Sequence, residues 1–196
     1  MQASSNPTLF YIGVGIAVII VVALIVALAR RARSESLRRR FGPEYERTVQ
    51  KTGDRTAAER ELADREARVR KLHLQPLPAG AKARYSEEWH TIQGRFVDEP
   101  RESLVSADHL VVSVMRDRGY PADDFDQRLA DLSPDHPRVL DNYRAAHDIT
   151  VRSERNAAST EDLRRAMVHY RALFDDLLDN KTSSKDKTSS KESVKA

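Results

Sequence analysis

The 196-residue chain contains no cysteine. That excludes disulfides, a thiol nucleophile, cysteine-ligated zinc and a lipid-modified N-terminal cysteine. Glycine is scarce, with seven residues in all, and Gly13-Val14-Gly15 stands inside an apolar run. No phosphate-cradling glycine motif is present, nor is there a G-x-S-x-G nucleophile elbow or an H-E-x-x-H metal pair. No window alternates apolar and polar residues at the period of two that a half-buried strand requires. Charge is missing altogether from Met1 to Ala29.

The uncharged stretch is the first positive signal. Its core, LFYIGVGIAVIIVVALIVALA over residues 9–29, is 21 residues long. At about 1.5 Å of rise per residue it spans roughly 30 Å, the thickness of bilayer hydrocarbon. Ala27-Leu28-Ala29 fits a signal-peptidase pattern. However, residues 1–8 carry no Lys or Arg, and the apolar run exceeds the usual ~7–15 residues of a signal peptide. An uncleaved transmembrane helix is the expectation.

Six arginines follow at once, Arg30, Arg31, Arg33, Arg38, Arg39 and Arg40, opposed only by Glu35. The positive-inside bias places the C-terminal part in the cytoplasm and residues 1–8 outside, as in a single-pass protein of the inner (plasma) membrane. The same six arginines are the candidate lipid-surface residues, each adding about 1 kcal/mol of attraction to anionic headgroups when near the surface. Gly13 with Ala17, and Ala23 with Ala27, have the small-xxx-small spacing that permits a close homodimer of the span.

The net charge of +3 conceals a partition: residues 30–40 carry +5, residues 181–196 carry +3, and residues 41–180 between them carry −5. The positive excess is therefore not on the folded part, and no nucleic-acid partner is expected.

Residues 30–40 are expected to run as a basic juxtamembrane helix along the membrane surface until Gly42-Pro43. Residues 41–78 read as a charged helical arm. PEYERTVQKTG forms one short helix, and Asp54 caps a second with a thin face of Ala58, Leu62, Val69 and Leu72. A linker with Pro76, Pro78 and Gly80 follows. In residues 79–180 the helical period is clear: Tyr85, Trp89, Ile92 and Phe96 lie on one stripe, and Leu104, Ala107, Val111, Val114 and Met115 on the next. Phe125, Leu129 and Leu132 mark a short helix. Ser133-Pro134 is expected to open another helix, carrying Val139, Leu140, Tyr143, His147 and Val151. Ser159 and Asp162 form a capping box before Leu163, Met167, Tyr170, Phe174 and Leu177. Short connections between these helices imply a small all-α bundle. Residues 181–196 repeat KTSSK without a large apolar side chain and are expected to be a disordered tail.

Candidate chemistry is thin. Asp123, Asp124 and Asp126 lack the glycine and glutamate of an EF-hand, and an acidic helix start explains them. His109, His147 and His169 stand on or beside the stripes of three helices, which would let them meet as a metal-binding or hydrolytic site with Asp108 or Asp148.

The pieces RRRFGPEYERTVQKTGDRTAAERELADRE, LHLQPLP, RYSEEWHTIQGRFVDEP, DHLVVSVMRDRGYP, LSPDHPRVLDNYRAAHDI and STEDLRRAMVHYRALFDDLL, covering Arg38 to Leu178, carry a resemblance. They resemble a family of bacterial membrane-anchored small helical proteins with no assigned activity. The resemblance implies one coherent domain and no cofactor or catalytic residue. The expectation is a non-enzymatic, membrane-tethered cytoplasmic helical module that acts through an unidentified protein partner or the membrane surface. The alternatives are the histidine site and a membrane-linked regulator that sequesters a basic partner.

Overall fold

A computed structural model describes residues 7–122 and 124–179; Asp123, residues 1–6 and the lysine-rich tail lie outside the described residues. Among the described residues there are eight helices and no strand: α1 (Pro7–Phe41), α2 (Pro43–Thr52), α3 (Arg55–Val69), α4 (Ala81–Arg95), α5 (Pro100–Asp117), α6 (Phe125–Leu132), α7 (Leu140–Glu154) and α8 (Thr160–Leu178). The all-α class read from the periodicity holds.

The helix boundaries follow local chemistry. Gly42, at φ 50, takes a left-handed conformation that ends α1, and Pro43 pre-sets the first turn of α2. The Asp54 carboxylate accepts from the N–H groups of Thr56 and Ala57, and Asp124 accepts from Gln127. The Ser159–Asp162 capping box is present in both directions. One boundary departs from expectation. Ser133 closes α6 instead of opening a helix, its N–H bonding to the Leu129 carbonyl, and α7 begins only at Leu140. Pro137 is the reason: it disfavours helical backbone at His136 and brings no N–H of its own, so residues 133–139 form successive turns.

Helices α4, α5, α7 and α8 pack into a bundle around one core, with α7 against α8 and α8 against α5 as its largest interfaces. The expected stripes face inward. Trp89 is 1% exposed and stacks on Phe174, with ring centroids 4.8 Å apart, while Arg171 lies over the indole. Leu104, Val111, Val114, Met115, Tyr143, Tyr170 and Leu177 are likewise buried.

Residues 70–80 are strapped onto this bundle. Leu72, Leu74 and Leu77 pack against the core, and the Gln75 N–H bonds to the Arg118 carbonyl. The strap explains the Arg118-Gly119-Tyr120-Pro121 turn. A Cβ on Gly119 (φ 88) would lie 2.6 Å from the His73 carbonyl oxygen. Buried Arg118 donates from Nη1 to the Leu177 carbonyl at 2.6 Å, satisfying one of the acceptors left open at the end of α8.

A second, smaller core lies outside the bundle. Leu37 and Phe41 of α1, Tyr45 of α2 and Leu62 of α3 are buried together, with Val49 at the edge. Residues 34–41 thus pack with α2 and α3 as a three-helix lobe. Ser34 lies beside Glu59 and Arg40 beside Glu66, so α3 runs parallel to α1 and α2 runs back between them. From Gly15 to Arg30 every residue of α1 is exposed.

Two substitutions test this architecture by unfolding the detergent-solubilised chain. Trp89→Ala is expected to cost about 3–5 kcal/mol. Gly119→Ala is expected to cost at least the ~1–3 kcal/mol of left-handed strain, plus the clash with the His73 carbonyl. Parent-like stability of either variant contradicts the packing described.

Candidate membrane-surface site and the ionic seam

The six arginines after the apolar run divide by helical phase. Ser34, Leu37 and Phe41 form the buried face of α1, and Arg30, Arg33 and Arg40 flank it at i, i+3 or i+4 spacings. Arg31 and Arg39 lie off this face and are exposed. Arg38 pairs with Glu46 at 3.0 Å and lies over the Tyr45 ring. Arg40 bonds to Glu66 at 2.9 Å and Asp135 at 3.2 Å. Two of the six are therefore structural cations. Arg30 and Arg33 line a cleft of about 310 Å³ with Thr56, Glu59 and Arg60. Arg39 and Arg40 line another, of about 320 Å³, with Asp135, His136, Arg138 and Asp176.

Below the first cleft, one carboxylate oxygen joins all three helices of the lobe. Glu59 Oε1 accepts from Ser34 Oγ at 2.7 Å, Tyr45 OH at 2.7 Å and Arg55 Nε at 3.0 Å. Burial alone would raise the Glu59 pKa, but the bonds from Ser34, Tyr45 and Arg55 together outweigh it and hold the carboxyl below its usual range.

The lobe meets the bundle through charge. Residues 30–78 hold fourteen basic and eight acidic residues, net +6; residues 79–180 hold fourteen basic and twenty acidic, net −6. At the seam Arg40 reaches Asp135, Arg47 reaches Asp141 at 2.6 Å and Arg68 reaches Asp131 at 2.9 Å. Asp131 is 1% exposed and also accepts from Gln127 Nε2. The central pair reverses the polarity: Glu44 of α2, 4% exposed, accepts from Arg65 of α3 at 3.1 Å and from Arg144 of α7 at 2.7 and 2.8 Å. Each buried carboxylate thus has a guanidinium partner, which such burial requires.

The histidines do not assemble into a site. His109 is exposed on α5, and His147 stacks on Phe125 with centroids 3.6 Å apart. Burial lowers the His147 pKa, against the pull of the Asp108 carboxylate. His136 is buried and pairs through Nδ1 with Asp176 at 2.5 Å. Tyr143 and Tyr170 are pushed far above the usual phenol range, by burial first and then by Asp108. Among the described residues, no three His, Asp or Glu side chains converge to hold a metal ion. The calcium reading of the Asp123 cluster includes a residue outside those described.

Arg30, Arg31 and Arg33 were legible from their place after the apolar run. Arg60 and Thr56 were not, because only the fold of α3 beside α1 brings them there. Comparison with protein-family models, with curated proteins and with solved structures finds no match.

The seam makes a graded prediction. Glu44→Ala removes the buried carboxylate shared by Arg65 and Arg144, which keep only the exposed Glu61 and Asp141, and is expected to destabilise the lobe and bundle by about 3–5 kcal/mol. Arg47→Ala breaks a pair whose side chains are 52% and 56% exposed, so it is expected to cost less than about 1 kcal/mol. Denaturant unfolding of both variants checks the order, and equal losses refute the assignment of Glu44 as the centre of the seam.

Proposed function

We propose that this chain is a non-enzymatic, membrane-tethered helical module, in which the apolar half of α1 is the anchor and the bundle is the surface presented to a protein partner. The observation that carries this reading is the state of α1. One helix runs from Pro7 to Phe41; its first half is apolar all round and exposed from Gly15 onward, and its last turns are packed into the lobe. A core helix of a soluble protein would be buried, whereas none of the residues described from Gly15 to Arg30 is buried. Such a surface is stable in hydrocarbon and unfavourable in water. Continuity of the helix through Arg30 favours a retained anchor over a removable leader, because a cut after Ala29 would fall mid-helix.

Orientation follows from the arginines. Residues 30–40 carry +5 beside a flank without side-chain charge, so the lobe and bundle face the cytoplasm across the inner membrane. The absence of an enzymatic role is supported by where the titratable groups are spent. The buried carboxylates Glu44 and Asp131 are held by arginines, and the buried phenols are held neutral at physiological pH. The bundle's net −6 favours a partner carrying a basic surface.

The test is fractionation with a reporter fused after Ala196. The chain is expected to stay in the membrane pellet after alkaline carbonate, to be released when residues 1–29 are deleted, and to activate only a cytoplasmic reporter. Carbonate release of the full chain, or activity of an exported-side reporter, contradicts the anchor or its orientation respectively.

A further inference from the structure

Three exposed cations of the lobe share one cleft. Arg30 and Arg33 of α1 and Arg60 of α3 line the cleft beneath which Glu59 lies, and all three are exposed. None of them has an ion pair or side-chain hydrogen bond among the described residues, while Arg38, Arg40, Arg47, Arg55, Arg65 and Arg68 of the same lobe are all paired. The only carboxylate at the cleft, Glu59, already receives three donors on Oε1. The N–H groups of Thr56 and Ala57 are likewise taken by Asp54. Around a space of about 310 Å³ this leaves three guanidinium groups and the Thr56 hydroxyl, none of them bonded to the Glu59 carboxylate.

Position identifies the acceptor. Arg30 directly follows the last apolar residue of the run, and Arg33 lies about 5 Å further along the helix axis, where headgroup phosphates stand if residues 9–29 span the bilayer. Guanidinium forks match phosphate oxygens in geometry and charge. We infer that Arg30, Arg33, Arg60 and Thr56 form a discrete site for the phosphate of one anionic phospholipid, held between α1 and α3. The inference rests on the proposed anchoring and adds to it a stoichiometric lipid in place of diffuse attraction. The lipid seals the open end of the lobe just where the Glu59 knot ties Ser34, Tyr45 and Arg55 together.

The test uses the full chain in detergent micelles, titrated with an anionic phospholipid (phosphatidylglycerol) or a zwitterionic one (phosphatidylcholine) and read by native mass spectrometry. One anionic lipid is expected to be retained through stepwise activation that strips the zwitterionic lipid. Its apparent affinity is expected to fall at least tenfold in Arg60→Gln, although Arg60 lies outside the arginine-rich segment, and to change less than twofold in Arg31→Gln, which removes the same charge from outside the cleft. Equal effects of the two substitutions, equal retention of both lipids, or full displacement by millimolar inorganic phosphate overturns the discrete lipid site. Because the binding is measured in micelles, these outcomes are independent of carbonate extraction: a firmly inserted chain without a retained lipid refutes this site alone.

Discussion

Glu44 is a carboxylate almost out of solvent, gripped by one arginine from its own lobe and one from the bundle. The seat of the lobe on the bundle depends on contacts of this kind. The two apolar cores do not merge: the larger sits among α4 to α8 with the strap of residues 70–80, and the smaller among the last turns of α1, α2 and α3. Between them α3 meets α6, and the arginines of the +6 lobe meet aspartates of the −6 bundle. An ionic interface of this type contributes less net stability than an apolar one of equal size, because desolvation offsets most of the attraction. It does specify orientation, since a misplaced lobe would leave Asp131 and Glu44 buried without partners.

That specificity gives α1 a mechanical role. A helix that leaves the apolar segment without a break and is fixed by Leu37, Phe41 and the Glu59 knot transmits its direction to the lobe. The seam then passes that direction to the bundle. No linker separates the apolar segment from the lobe, since α1 is continuous from Pro7 to Phe41. Arg38 and Arg40, which charge counting assigns to the membrane surface, also pair with Glu46 and with Glu66 and Asp135 in this connection.

The parts legible in the sequence are those whose apolar residues are dense enough to show a period. The stripes of α4, α5 and α8 are almost uninterrupted at i, i+3 and i+4, so their buried residues could be named before any fold was known. The three-helix lobe was opaque for the opposite reason: Leu37, Phe41, Tyr45 and Leu62 are single apolar positions among charged neighbours, and each is buried only because the others come to it. The same holds at the cleft, where Arg30 and Arg33 stand out in the sequence but Arg60 is one charge among many on α3. The turn at residues 133–139 failed on a finer point. Ser133-Pro134 has the chemistry of a helix start, and a second proline three residues later cancels it.

The central claim is that span, lobe and bundle form one rigid unit. The chain has no cysteine, so Ser36→Cys on α1 and Val168→Cys on α8, both at exposed positions, can be spin-labelled without background. Pulsed electron–electron resonance on the doubly labelled full chain in nanodiscs would measure the distance between them. A single narrow distribution that broadens when Glu44 and Asp131 are replaced by Gln and Asn is the predicted result. A distribution already broad in the parent chain would show that the bundle swings freely on its anchor and would contradict the account.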